Sequence, residues 1–170
     1  SKLVTAVVAD TVPLYEKSSI DEFYIDLTGM DKFFGCHQLA SELRKKIITE
    51  TGLPISFGLS INKTVSKIAT GEAKPNNEIR INSGTEKYFL APLSVRKIPM
   101  VGEKTYTSLC DLGIKRIRTV QEMPINMMTK VFGKQGGAIW KKANGIDNTP
   151  VVKHQERKSI STERTFDKDT

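Results

Sequence analysis

The chain has 170 residues, 38% of them hydrophobic and 26% charged, the makeup of a soluble globular protein with room for one domain or two small ones. No run of about 18 apolar residues and no basic, apolar leader is present, so neither a membrane span nor secretion is expected. Residues 1–93 carry 11 Lys and Arg against 11 Asp and Glu, whereas residues 94–170 carry 15 against 8 and hold the whole net charge of +7. A neutral half joined to a basic half points to a polyanion as partner of the second half, with a basic solvated surface as the alternative.

In chain order, Leu3 to Ala9 reads as the end of a helix with no start signal before it, as in a piece of something longer. Val12 to Tyr15 reads as a strand, Lys17-Ser18-Ser19 as turn chemistry, and Ile20 to Leu27 as a second strand, together a β-hairpin. Thr28-Gly29 breaks that strand. Leu39, Leu43, Ile47 and Ile48 fall at helical spacing, and Gly52 with Pro54 beyond it should end the helix. Ile55 to Ser60 is a third strand. Asn62 is a fitting N-cap for a helix through Val65, Ile68 and Ala69 that ends before Lys74-Pro75-Asn76-Asn77. A short strand at Ile79 to Ile81 and a short helix over 85–91 complete the alternation. The first half is therefore expected to be α/β, a mixed sheet with helices on one face.

Past Pro92 the pattern changes to short helical segments cut by glycine and proline, with no convincing strand. A boundary is placed near Leu93, giving domains over 1–93 and 94–154, with 155–170 as a polar linker holding a strand near 160–166. Cys36 and Cys110 show no CxxC or Cys/His spacing and read as reduced thiols, which fits a cytoplasmic protein. His37 and His154 lack partners at metal spacing, and Trp140 lies in an apolar helical pattern and reads as core.

Asp21 and Glu22 are adjacent in an otherwise apolar strand. Strand side chains ordinarily diverge, but beside a hairpin turn both can reach one end of the sheet. Carboxylates so placed repel unless a cation joins them, and Mg2+ prefers their oxygens. The alternative is an edge strand guarded by charge. Asp26, ahead of Leu27-Thr28-Gly29, reads as a turn residue. Lys63, Lys67 and Lys74 include at least two that share a helical face, and Lys74 could offer its ammonium to a triphosphate; a solvated face explains Lys63 and Lys67 equally.

In the second half, Ile98 to Thr105 forms an apolar, Gly102-centred approach to a helix carrying Tyr106 and Leu109, ringed by Lys104, Lys115, Arg116 and Arg118. Backbone N–H groups at such a turn can meet a phosphate closely, aided by the helix dipole. Phe132-Gly133-Lys134-Gln135-Gly136-Gly137 repeats the arrangement before Ile139 and Trp140. Two such turns read as a grip on a sugar–phosphate backbone regardless of base sequence; a tight interhelical turn is the bland alternative.

Taken together these segments resemble the Y-family, or translesion, DNA polymerases of the bacterial polymerase IV type. Ser19-Ile20-Asp21-Glu22-Phe23-Tyr24-Ile25-Asp26-Leu27-Thr28 resembles the family's second acidic palm motif, and Gly58 to Lys63 with Ala73-Lys74-Pro75-Asn76 resembles another signature. Ile98 to Gly113 is similar to the helix-hairpin-helix of the thumb, and Ser159 to Phe166 to the start of the little finger. The resemblance implies a partial palm over 1–93, a helical thumb over 94–154, and template-directed transfer from a dNTP to a primer 3′-hydroxyl. It implies Asp21 and Glu22 as metal-binding catalytic acids, Lys74 as the triphosphate contact, and two Mg2+ ions in a complete site. Val101, Gly102, Glu103, Lys104 and Thr105, with Gly133, Lys134 and Gly136, become the DNA contacts, and primer–template DNA the partner, with a sliding clamp for the complete protein. The family's first palm strand, with its further metal-binding Asp, and its fingers have no match before Ser19. This segment alone is therefore expected to be inactive. A nucleotide cyclase on a similar palm would not need the basic helical half; a non-catalytic duplex-DNA-binding module is the remaining alternative.

Overall fold

The computed structural model describes residues 2–19, 21–28 and 35–152. The expected linker, the strand near 160–166, Gly29 and His154 lie outside the described residues. The fold is mixed α and β, opening with helix α1 (Lys2–Thr11), whose Val7 and Val8 are buried. Strands β1 (Tyr15–Ser19) and β2 (Glu22–Ile25) pair antiparallel as the expected hairpin, but its strands lie elsewhere than the residue types indicate. Lys17, Ser18 and Ser19 belong to β1, not to the turn, because a register shift between Lys17 and Ser19 absorbs the extra residue. Asp21 consequently sits in the turn and Glu22 opens β2.

Helix α2 (Cys36–Thr51) buries Leu43 and Ile47 and stops at Gly52, whose φ of 72° is the left-handed cap expected of glycine. Strand β3 (Phe57–Leu59), helix α3 (Lys63–Ala73) and strand β4 (Glu78–Arg80) follow, with β3 and β4 parallel. Asn62 caps α3 as its sequence position indicates, its side chain accepting from the Val65 N–H at 2.9 Å. Gly58 lets α3 lie hard against β3, since a Cβ there would fall 2.5 Å from the Ser66 carbonyl oxygen.

One expectation is corrected. Among the described residues the strands form two separate two-stranded sheets, β1–β2 and β3–β4, not one mixed sheet. Alternation of strands and helices along a sequence reveals that strands exist, but edge pairing is decided by packing. Here both ribbons lean on the same apolar cluster, built from Val7, Val8, Val12, Leu27, Leu43 and Ile47 with Phe23, Ile25 and Leu59 against it, without bonding to each other.

The rest is helical: α4 (Glu86–Leu90), a 3-10 turn (Val95–Lys97), α5 (Glu103–Asp111), α6 (Ile117–Glu122), α7 (Ile125–Phe132) and α8 (Lys134–Ala143). A second cluster joins Leu109, Ile117, Met128 and Ile139 to Val65, Ile68 and Ala69 of α3. Helix α3 therefore serves both halves of the chain: one face packs into the helical core, and its lysines reach the hairpin. Among the described residues no helix is long and apolar enough to cross a membrane.

Candidate active site and nucleic-acid interface

The hairpin tip carries the two sequence-predicted acids. Asp21 is exposed, and its carboxylate accepts from the Ser19 hydroxyl at 3.0 Å. Glu22 is half-buried and meets the Lys67 ammonium at 2.6 Å. One helical turn earlier, Lys63 meets Glu16 of β1 at 2.7 Å. Spacing of four residues puts both lysines on one face of α3, so the helix clips the two hairpin strands separately. The Lys63 ammonium also lies 4.9 Å from the centre of the Tyr24 ring. Burial, then the negative charges of Glu22, Glu16 and Asp147, push the Tyr24 hydroxyl up to about 12, so it stays neutral.

Beside this tip is a cleft of about 180 Å³, lined by Tyr24, Lys63, Thr64, Lys67, Lys142 and Asp147 among others. The residue types at 63 and 67 were legible as sharing a face, yet their partners Glu16 and Glu22 lie 47 and 45 residues away and left no local signal. Asp147, from the segment after α8, and Lys142, in the last turn of α8, carried no signal at all. Lys74 is exposed just beyond α3, with no hydrogen bond or ion pair among the described residues. Its loop is tied down by Arg44, which donates to the Asn76 carbonyl at 2.7 Å and to the Asn76 side chain at 2.8 Å. Asp26 is the turn residue its position indicates, accepting from the Thr28 N–H at 2.9 Å, which with the Thr28 hydroxyl holds its carboxyl below the ordinary range.

Among the described residues, no group of three or more His, Cys, Asp and Glu side chains converges as a metal cage. Asp21 and Glu22 are two adjacent oxygen donors of the kind Mg2+ takes, and one of them already holds an ammonium. A cation there would draw its other ligands from water, from a phosphate, or from protein outside the described residues.

In the helical half α5, α6, α7 and α8 all start without a side-chain cap, and two of these starts follow a glycine. Gly102 precedes α5 and Gly133 precedes α8, and neither helix has a side-chain cap. Gln135 in the first turn of α8 donates to the Thr105 hydroxyl in the first turn of α5 at 3.1 Å, so the two starts are neighbours. Lys104 and Lys134 are exposed beside them. Glu103 is answered by Arg96 at 3.2 Å, and Arg96 stacks 4.1 Å over Tyr106. Val101 is buried and can contribute only backbone to a ligand.

Two details differ from expectation. The leading helix of the first hairpin is a single 3-10 turn over Val95–Lys97. The segment 133–137 is not a loop: Gly133 alone separates α7 from α8, and Gly136 is buried with its N–H given to the Gly133 carbonyl at 3.0 Å. Gly136 thus packs helices together instead of facing a ligand. Trp140 is a core residue as expected, its indole N–H bonded to the Met123 carbonyl at 2.8 Å. His37 has the partner that sequence could not supply, Glu78 at 3.3 Å.

Two carboxylates that the segment after α8 supplies or touches, Asp147 of that segment and Glu16 of β1, have altered affinity for protons. Lys63 and the Val152 N–H hold Glu16 below the ordinary carboxylate range. Burial alone would raise Asp147, but hydrogen bonds from Thr149 and Thr64 and the charge of Lys142 outweigh it and lower it. A lowered folded-state pKa means stability that is present above the unfolded value and lost as pH falls through the folded one. Thermal melts should therefore lose several degrees between about pH 5 and pH 3. A double Glu16→Gln, Asp147→Asn variant should show a flatter profile, and an unchanged slope would contradict these contacts.

Comparison with known proteins bears on these features. The impB/mucB/samB family matches residues 1–71. A DNA polymerase IV from Dehalococcoides mccartyi is 37% identical over 165 residues, which are 96% of this chain and 42% of that protein. One from Shewanella amazonensis is 36% identical over 170 residues, 99% of this chain and 48% of that protein. The chain thus spans about half the length of the relatives it matches. Among solved structures, a crystal structure of DinB from Sulfolobus solfataricus superposes with a TM-score of 0.77 at 25% identity, covering 88% of this chain and 46% of that one. An insertion ternary complex of Dbh DNA polymerase gives 0.76 at 26% identity, covering 88% of this chain and 45% of that one.

Proposed function

We propose that the chain, whose residues 1–71 match the impB/mucB/samB family, is the palm and thumb of a translesion DNA polymerase of the polymerase IV type. Residues 1–93 are the partial palm, 94–154 the thumb with its helix-hairpin-helix elements, and 155–170 the linker to a little finger. The complete protein transfers a nucleotide from a dNTP to a primer 3′-hydroxyl in the cytoplasm, and a sliding clamp is its partner. The observation that carries this reading is the acid pair at the hairpin tip, set beside a lysine-lined cleft on the same molecule as two neighbouring uncapped helix starts.

Asp21 and Glu22 are the residues that would hold the metal, and Mg2+ bound there would lower the pKa of the attacking hydroxyl and neutralise phosphate charge. Lys67 orients Glu22, and the neutral Tyr24 walls the cleft. Lys74, exposed and uncommitted to any described residue, meets the triphosphate as a point charge. The N–H groups of residues 102–105 and of Lys134 take backbone phosphates, Gly133 gives the close approach while its own N–H stays on the Thr129 carbonyl at 2.7 Å, and Lys104 and Lys134 add charge.

One binding and extension experiment tests this. A labelled primer–template duplex should bind the chain weakly and without base preference, with affinity falling about tenfold when salt is doubled, the scale for roughly four phosphates. With Mg2+ and dNTPs in the same mixture the chain alone should add no nucleotide, because two carboxylates are too few for the site. Salt-independent binding would overturn the phosphate grip, and clear extension would overturn the incomplete site. The Glu22–Lys67 ion pair favours a second reading, a non-catalytic duplex-binding module in which the acids only guard the hairpin. The two readings part on replacement of Asp21.

A further inference from the structure

We propose that residues 145–152 form a strap that sets the position of the acid-bearing hairpin against α3, with Asp147 as its positioning residue. The proposal deepens the polymerase reading above and rests on it only for the role of the acids. Its geometry is a continuous line of contacts. Asn62 works on both sides: while its Oδ1 caps α3, its Nδ2 donates to the Gly145 carbonyl at 2.8 Å. Asp147 then takes the Thr64 N–H at 3.2 Å and the Thr64 hydroxyl at 2.8 Å, and braces its own loop through the Thr149 N–H at 3.0 Å. At the far end the Val152 N–H reaches Glu16 of β1 at 2.8 Å, on the same oxygen that receives Lys63.

The strap therefore holds the first turn of α3 at one end and β1 at the other, bridging 83 residues at Thr64 and 136 at Glu16. Asp147 adds a negative charge where the α3 dipole is positive. Thr64 is buried, so loss of Asp147 leaves its hydroxyl and N–H short of an acceptor inside the protein. Lys63 and Lys67 ride on that first turn and the next, and Lys67 is what holds Glu22. Displacing the turn displaces the counter-ion of the acid pair. Gly145 keeps the strap close, because a Cβ there would lie 2.9 Å from the Glu86 side chain.

The test is amide hydrogen exchange on the whole chain, without nucleic acid or metal, for Asp147→Ala, Asp147→Asn, Thr64→Val and Thr64→Ser. Asp147→Ala and Thr64→Val should speed exchange in residues 15–25 by about tenfold while α7 and α8 change little. Asp147→Asn, which keeps an acceptor oxygen, should give a smaller rise, and Thr64→Ser should retain wild-type protection. Unchanged protection of the hairpin in Asp147→Ala, or equal acceleration across both apolar clusters, overturns the strap. Should Asp147→Ala fail to fold, Thr64→Val against Thr64→Ser decides the matter alone. Because no DNA is present, failure of the polymerase reading shows instead as lost DNA binding with hairpin protection intact.

Discussion

Alanine at position 136 should lower the melting temperature by about 10 °C, equivalent to a loss of roughly 3 kcal/mol or more. A Cβ at Gly136 would lie 2.0 Å from the Met128 carbonyl oxygen and 2.6 Å from its carbonyl carbon. Both atoms are backbone, so no side chain can swing aside, and α7 must move off α8. That movement loosens the second cluster, to which α7 gives Met128 and α8 gives Ile139, both fully buried. Helix propensity acts the other way, because alanine exceeds glycine by about 1 kcal/mol, but this is the smaller effect. Position 137 provides the control. A Cβ there meets only the Thr129 hydroxyl, at an ordinary 3.4 Å. Gly137→Ala should therefore be neutral or slightly stabilising, and equal melting temperatures for the two variants would contradict the close approach of the helices.

These adjacent glycines also mark where sequence reading reaches its limit. A Gly-Gly pair beside lysines reads as a phosphate-binding turn. What a sequence does not display is that α8 begins at Lys134, so that Gly136 already lies in the first turn of the helix and is pressed on its neighbour. Local signals did well where the cause is local. Asn62 capping α3, Gly52 ending α2 and Asp26 closing its turn depend on residues within four positions. The hairpin was legible as a pair of strands, but the polar Lys17-Ser18-Ser19 run lies within β1 and not where the chain turns.

The site was legible in its acids and not in their surroundings. Asp21 and Glu22 announce themselves as charges in an apolar strand. Lys67 reaches the hairpin and Asp147 reaches α3 through partners 45 and 83 residues away, which no spacing rule finds. Helix α3 explains why such distant pairs meet. Its apolar face is claimed by the helical cluster through Val65, Ile68 and Ala69, which fixes its rotation. With that face turned inward, Lys63 and Lys67 reach the hairpin, and Thr64 meets the strap. The helical half thereby sets the lysines that face the acids, a coupling between packing and site that runs through one 11-residue helix.

Asp21→Asn in the complete protein should lower primer extension by about a thousandfold, roughly 4 kcal/mol of lost transition-state stabilisation. Asparagine keeps the shape of the side chain and an oxygen for the Ser19 hydroxyl, so the turn should hold. What disappears is the charge. Asp21 makes no ion pair among the described residues, whereas Glu22 already holds Lys67, so the more available negative charge at the tip is that of Asp21. DNA binding should survive or tighten slightly, since removing an exposed negative charge near phosphates favours association. Ser19→Ala supplies the comparison: it removes the hydrogen bond but leaves both carboxylates, and should cost only a few-fold. Loss of extension with retained DNA affinity separates a catalytic pair from a guard on an edge strand. If Asp21→Asn extends primers as well as the unaltered protein, the acids serve the hairpin alone and the non-catalytic reading stands.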